Sequence, residues 1–395
     1  MVATAKILHL VRLVMWHRAF RILFLLCLWS PGLVQAQSGL AGIANAAGSE
    51  VSADIFAVQG LAVDVTAESA VAARRQAMRE GQRRALNLLL RRITLRTDHL
   101  SLPDPSDEAV MQIVATVEVA KEKTSTIRYL AELTVRFHRN AVRGLLRNVG
   151  ISFSETRAKP ILVLPIFEKG AVLSLFEDGN VWRSAWERLD LPADSLLPLR
   201  LPVGDLQDIT TLTAAAALAG KSSQLRAIAQ RHGVDNVLVA HAVLRIDLAS
   251  GGVPQVQVNL LHFGPRGQST EVLDYTTSIG AGLAQSLNNL ALRVAVDQEE
   301  QWKRRTRLTF GADASLSALV PLTSLEDWLT VRQRLGASAM VQSIKLQGIS
   351  RQDAQVVINY LGDTDSLVVS LAQRDLDLAL IDGFWMLRLT KDKPQ

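Results

Sequence analysis

Between Ala70 and Arg92 the chain reads AVAARRQAMREGQRRALNLLLRR, seven arginines against one acid. Guanidinium groups at helical spacing can grip phosphates, lie on an anionic membrane or pair with carboxylates. On a helix, Ala70, Ala77, Gly81, Ala85, Leu88 and Leu89 gather into an apolar face, small at its start and larger at its end. Arg75, Arg79 and Arg83 form a separate i, i+4 row facing away, so these three are the candidates to meet an acidic partner or lipid headgroups. Arg74 and Arg92 project within the apolar sector, and each must snorkel to an edge or find a partner. Arg74, set among alanines, is the candidate buried structural charge.

Other residues with chemical potential read as structure. Gly220-Lys221-Ser222 matches the end of a phosphate-binding loop, but that loop needs glycine where Ala215 stands, so a helix boundary is the better account. Outside the first 36 residues the histidines are His99, His138, His232, His241 and His262, and none stands at a zinc-motif spacing from another ligand. His241 lies in an apolar run and reads as a hydrogen-bonded core residue. The chain has no Gly-x-Ser-x-Gly elbow, and Asp363-x-Asp365 reads as a helix cap. Trp182 and Trp186, at i and i+4 after an acidic turn, form either a partner-docking patch or a cover for a sheet, and one-face spacing favours the cover. No catalytic residues, metal ligands or cofactor are expected.

Lys6, Arg12, Arg18 and Arg21 precede the apolar run Ile22 to Trp29, Pro31-Gly32 breaks it, and Val34-Gln35-Ala36 offers small residues for cleavage. This predicts a secretory signal peptide over 1–36 and a periplasmic mature chain. An uncleaved inner-membrane anchor is the lesser alternative, because the apolar run is far shorter than the roughly 20 residues that span a bilayer. Without residues 1–36 the formal charge falls from +5 to +1 and Cys27, the one cysteine, is lost. A nearly neutral exported chain argues against nucleic-acid binding, while peripheral contact with a membrane surface stays open.

At 48% apolar and 21% charged, the 395 residues read as globular. Residues 37–50 are a small, polar lead-in. A first unit over 51–155 opens with an alternating strand, Val51 to Val65, capped by Thr66 into a helix that runs to about Leu95. A hairpin of Val114 to Val119 and Ile127 to Phe137 follows, then a helix over Asn140 to Val149. A middle α/β unit over 156–306 has buried strands at Ile161-Leu-Val-Leu-Pro-Ile-Phe167 and Asn236 to Leu244, which predict a parallel or mixed sheet covered on both faces. Between them are expected a helix around Val181 to Leu189, a strand through Leu197 to Leu206 and a helix over Ser222 to His232. A hairpin around Gly264-Pro-Arg-Gly267 and a long helix to Arg305 complete it. The last unit, 307–391, has the order of a ferredoxin-like βαββαβ fold, ending in a strand pair around Ile381-Asp-Gly-Phe384. The class is α+β with three small mixed domains.

Four stretches carry a resemblance: Val58-Gln-Gly-Leu-Ala-Val-Asp-Val65, Ala72-Ala-Arg74-x-x-Ala77, Pro160-Ile-Leu-Val-Leu-Pro165 and Gly233-Val-Asp-Asn-Val-Leu-Val239. The chain resembles the bacterial family known as domain of unknown function 2066, which brings no catalytic residues to carry over. Its middle unit is similar, more loosely, to the amino-terminal domains of TolB-like proteins and of flagellar assembly T proteins. That likeness implies a non-enzymatic envelope assembly or maintenance factor acting by protein contacts. A hydrolase or small-ligand enzyme with a site at the edge of the middle sheet stands as the alternative.

Overall fold

Alternating side chains make β1 (Ala57–Thr66), with Leu61, Val63 and Val65 turned inward and Ala62, Asp64 and Thr66 outward. The computed structural model describes residues 54–390 apart from 193, 247–253, 266, 279–281 and 312. The expected signal peptide and lead-in, and the start of the first strand at Val51, lie outside the described residues. α1 (Ala70–Ile93) is capped by Ser69, whose hydroxyl accepts the Ala72 N–H at 3.2 Å; Thr66 still belongs to the strand. Its buried line runs Ala73, Ala77, Gly81, Ala85, Leu86, Leu89, Leu90 and Ile93. The small-to-large gradient is as expected, but the face is rotated and Leu88 is exposed. At Gly81 the helix presses on the sheet, where a Cβ would lie 2.5 Å from Leu133 Cδ1 and 3.1 Å from Val63 Cγ1.

After α2 (Asp107–Ile113), the strands β2 (Val114–Thr124) and β3 (Arg128–Phe137) complete an antiparallel sheet ordered β1-β3-β2, and α3 (Arg139–Asn148) ends this unit. β4 (Phe153–Ser154) leads into the middle unit, which opens with β5 (Ile161–Lys169), β6 (Val172–Ser174), α4 (Val181–Glu187) and β7 (Leu199–Arg200). Three helices follow, α5 (Leu206–Thr211), α6 (Ala214–Leu218) and α7 (Ser222–Arg231), then β8 (Asn236–Ile246), β9 (Pro254–Gly264), β10 (Gly267–Ser278) and α8 (Leu283–Arg305). Strand order is β10-β9-β8-β5-β6, with β5 parallel to β8 and β7 beside β5. β5 from Ile161 to Phe167 and β8 from Val237 to Ala240 run apolar because both faces are covered there. Val163, Leu238 and Ala240 share a core with α4 and α8. Leu162, Leu164, Val237 and Val239 share another with α6 and α7. The strand expected through Leu197 to Leu206 shrinks to β7, because Gly204 at φ 78° turns the chain and Asp205 caps α5.

β11 (Arg307–Leu308) pairs with β4, Arg307 opposite Ser154 and Leu308 opposite Phe153. The chain thus enters and leaves the middle unit through one two-stranded ladder, closed by a 2.6 Å hydroxyl contact between Ser154 and Thr306. Above it Phe153 and Phe310 lie 5.5 Å apart, and the first and last units share one continuous apolar core.

The last unit comprises β12 (Asp313–Pro321), α9 (Leu325–Gly336), β13 (Val341–Ile349), β14 (Asp353–Leu361), α10 (Thr364–Ala372), β15 (Leu376–Ile381) and β16 (Phe384–Leu389). Its sheet is ordered β13-β14-β12-β16-β15. The ferredoxin-like order holds through α10 and the expected strand pair around Ile381 to Phe384 follows it, with β15 at the edge and β16 returning parallel to β12. Asp382 and Gly383, at φ 51° and 83°, make its left-handed turn. Asp363 caps α10, accepting the Ser366 N–H at 2.7 Å.

Candidate functional site

The outward arginine row is largely engaged within the chain. Arg83 Nη2 donates to Asp107 Oδ1 at 2.6 Å and its Nη1 to Asp104 at 2.6 Å, while Arg79 approaches Asp107 at 4.0 Å. Asp107 stands at the positive end of α2, so the row fastens α2 to α1. Arg75 is exposed and has no ion-pair partner among the described residues.

Arg74 corrects the expectation of a buried charge: its side chain is 58% exposed and reaches Glu122 of β2 at 3.3 Å. Its guanidinium lies 6.0 Å from the centre of the Tyr129 ring. The line Ala73-Ala77-Gly81 touches the sheet along a narrow strip, so residue 74 falls beside it. The buried guanidinium is that of Arg92, 8% exposed and paired with Asp194 of the middle unit. Its Nη1 donates to Ile55 O at 3.0 Å and Ala57 O at 2.9 Å. Burial lowers its pKa, with Asp194 and Glu299 opposing. Nearby, Lys303 of α8 donates to Thr94 O at 3.0 Å, Arg91 O at 3.3 Å and Glu300 Oε1 at 3.0 Å. Carbonyls at the end of α1 are thereby satisfied by a cation from the middle unit.

Trp182 and Trp186 are core residues, which corrects their candidacy for partner binding. Trp182 is fully buried and donates from Nε1 to Ala240 O at 2.9 Å. Trp186 meets it edge to face at 5.7 Å, beneath α8. One helix face is buried, so both positions go under together.

At one end of the middle sheet's strands a groove of ≈ 650 Å³ is lined by Lys159, Asp235, Asp375, Arg226 and Phe263 among others. Lys159 Nζ lies 3.2 Å from Asp235 and pairs with Asp375. Burial works against its charge, but the two carboxylates outweigh it and raise the ammonium's pKa. Gly220 and Ser222 stand on the wall of this groove, where Lys221 precedes the first residue of α7. The groove lies at the amino ends of β5 and β8, whereas open α/β sheets hold ligands at the carboxyl ends. Toward those carboxyl ends His241 Nε2 is 2.8 Å from Glu168 Oε2, a satisfied pair in which burial lowers the imidazole pKa and Glu168 opposes. No group of three or more His, Cys, Asp and Glu suited to a metal occurs among the described residues. Nor is any described helix long and apolar enough to cross a membrane.

α5 is the element that local sequence rules place wrongly. Its one buried residue is Asp208, while Leu206 is 76% exposed, Ile209 is also exposed, and Val203 just before the helix is 71% exposed. Asp208 accepts the Gly204 N–H at 2.8 Å and Arg231 Nε at 2.7 Å, and His232 Nε2 lies 2.9 Å away. Burial pushes the carboxyl pKa up, but these donors outweigh it and hold it below the ordinary range. A short helix with its carboxylate inward must turn its apolar side chains outward, here Leu206 and Ile209. The spacing of Asp205 and Asp208 was the available signal, a cap followed by a first-turn acid. No family model, no curated protein and no solved structure matches the chain.

Proposed function

We propose that the chain is an exported, non-enzymatic protein of the bacterial periplasm, of the domain of unknown function 2066 family, which serves envelope assembly or maintenance by binding another protein. The charged n-region, short apolar run and small-residue cleavage site of 1–36 support export. The observation that carries the binding reading is α5, where a fully buried carboxylate with several donors keeps Leu206 and Ile209 in solvent. Exposed apolar side chains held out by an internal polar network are what a docking protein needs. The groove at Lys159 supports an enzyme less well, because the ammonium already meets two carboxylates and the site lies at the amino ends of the parallel strands.

A photoactivatable residue placed at Leu206 tests the reading in intact cells. The expected result is a discrete adduct with one other envelope protein, absent when the same residue replaces Arg75. Equal labelling from both positions, or none from Leu206, would count against it.

A further inference from the structure

The middle and last units meet across a cleft whose charged groups are unevenly engaged. Two adjoining hollows of ≈ 650 and ≈ 600 Å³ share Lys159, Asp235, Val237, Phe263 and Pro265 in their walls. Each has the size of a small-molecule site, and such sites form preferentially where domains meet. The rule that places ligands at the carboxyl ends of parallel strands concerns a single sheet, whereas here the second wall comes from α10, β15 and β16. Along α7, Leu225 and Ala229 pack inward, while Ser222 and Arg226, at i and i+4, line the margin that opens on the cleft. Arg305, the last residue of α8, and Arg388 of β16 line the other hollow.

The carboxylates of the cleft are committed. Asp235 and Asp375 both meet Lys159, Asp375 also lies 3.8 Å from Arg334, and Asp377 is engaged as well. Arg226, Arg305 and Arg388 are exposed, and none forms an ion pair with a described residue. What the cleft offers an incoming molecule is therefore cationic. We infer that it binds a small ligand with two or more oxyanion groups, one held by Arg226 and another by Arg305 and Arg388. Guanidinium forks match the oxygens of phosphate and carboxylate and can meet them two bonds at a time. Phe263, Pro265 and Trp302 in the walls limit the access of water, and charge-assisted hydrogen bonds gain strength where water is sparse. Lys159 offsets Asp235 and Asp375, so those two carboxylates oppose an anion little. Arg226 and Arg305 belong to the middle unit and Arg388 to the last, so one ligand ties the two units together.

Isothermal titration of the full chain at low salt tests this, with inorganic tripolyphosphate in one arm and a tri-glutamate peptide in the other. One equivalent is expected to bind per chain in at least one arm, and the tighter arm names phosphate or carboxylate as the ligand's acid. Arg226→Ala, Arg305→Ala and Arg388→Ala are each expected to weaken binding about 10-fold or more, the size of one lost charge-assisted hydrogen bond. Their circular dichroism should be unchanged, because all three residues are exposed. Arg75→Ala, which removes an exposed arginine of the first unit, is expected to bind as the wild type does. No binding in either arm at millimolar ligand, affinity indifferent to the three variants, or equal weakening by Arg75→Ala would each overturn the inference. So would two equivalents, one lost with Arg226 and the other with Arg388.

Discussion

Lys303 Nζ lies 3.0 Å from Thr94 O, so the helix that closes the middle unit caps the helix that opens the first. Both members of the Lys303–Glu300 pair are nearly inaccessible, and Glu300 also accepts the Arg96 N–H at 3.0 Å. Removing one partner of such a pair strands the other. Lys303→Met is therefore expected to destabilise the chain by about 3–5 kcal/mol, and Lys303→Met with Glu300→Gln by less than the sum of the singles. Urea unfolding followed at two probes, one in each unit, checks this. Additive losses would mean that the two charges do not depend on each other.

Gly81 is expected to tolerate little. Valine there would drive a branched side chain into Leu133 and Val63, costing about 1–3 kcal/mol. Alanine gains up to about 1 kcal/mol of helix propensity while pressing on the flexible end of Leu133, so its net effect should be small. Thermal unfolding of the two variants separates these outcomes. A stabilised Gly81→Val would contradict the close approach of α1 to the sheet.

Acid should weaken the fold in two steps. The His241 pKa is lowered by burial in the folded chain, so the unfolded chain takes up protons first and stability falls as pH drops below about 6.5. Asp208 is held below its unfolded value, so its contribution is fully present above about pH 4 and is lost as pH falls through the folded pKa. His241→Gln is expected to flatten only the first step and Asp208→Asn only the second. Urea midpoints at successive pH values read both, and an unchanged first step in His241→Gln would refute that assignment.

The chain's elements were legible where one period ruled: the alternation of β1, the apolar runs of β5 and β8, and the Asp-Gly turn before Phe384. The Trp182–Trp186 pair was legible as one helix face. What escaped the sequence depended on partners distant along the chain. Arg74 and Arg92 sit in similar sequence surroundings, yet only Arg92 meets a carboxylate of another unit, Asp194, 102 residues away. The pairing of β4 with β11, which makes the first and last units share a core, joins two-residue strands too short to carry any period. α5 was hidden because its apolar residues face outward, the reverse of the pattern that reveals a packed helix.

Asp208 faces inward and leaves Leu206 and Ile209 in solvent, where on the proposed function they meet a partner. The double variant Leu206→Ser with Ile209→Ser measures it most directly, by Tm and by cross-linking in cells from a photoactivatable residue at Val203. Residues kept out for binding contribute little to the fold, so Tm should stay within about a degree or two or rise, and the adduct should vanish. A Tm lowered by many degrees with the adduct intact would make Leu206 and Ile209 structural residues and not docking residues.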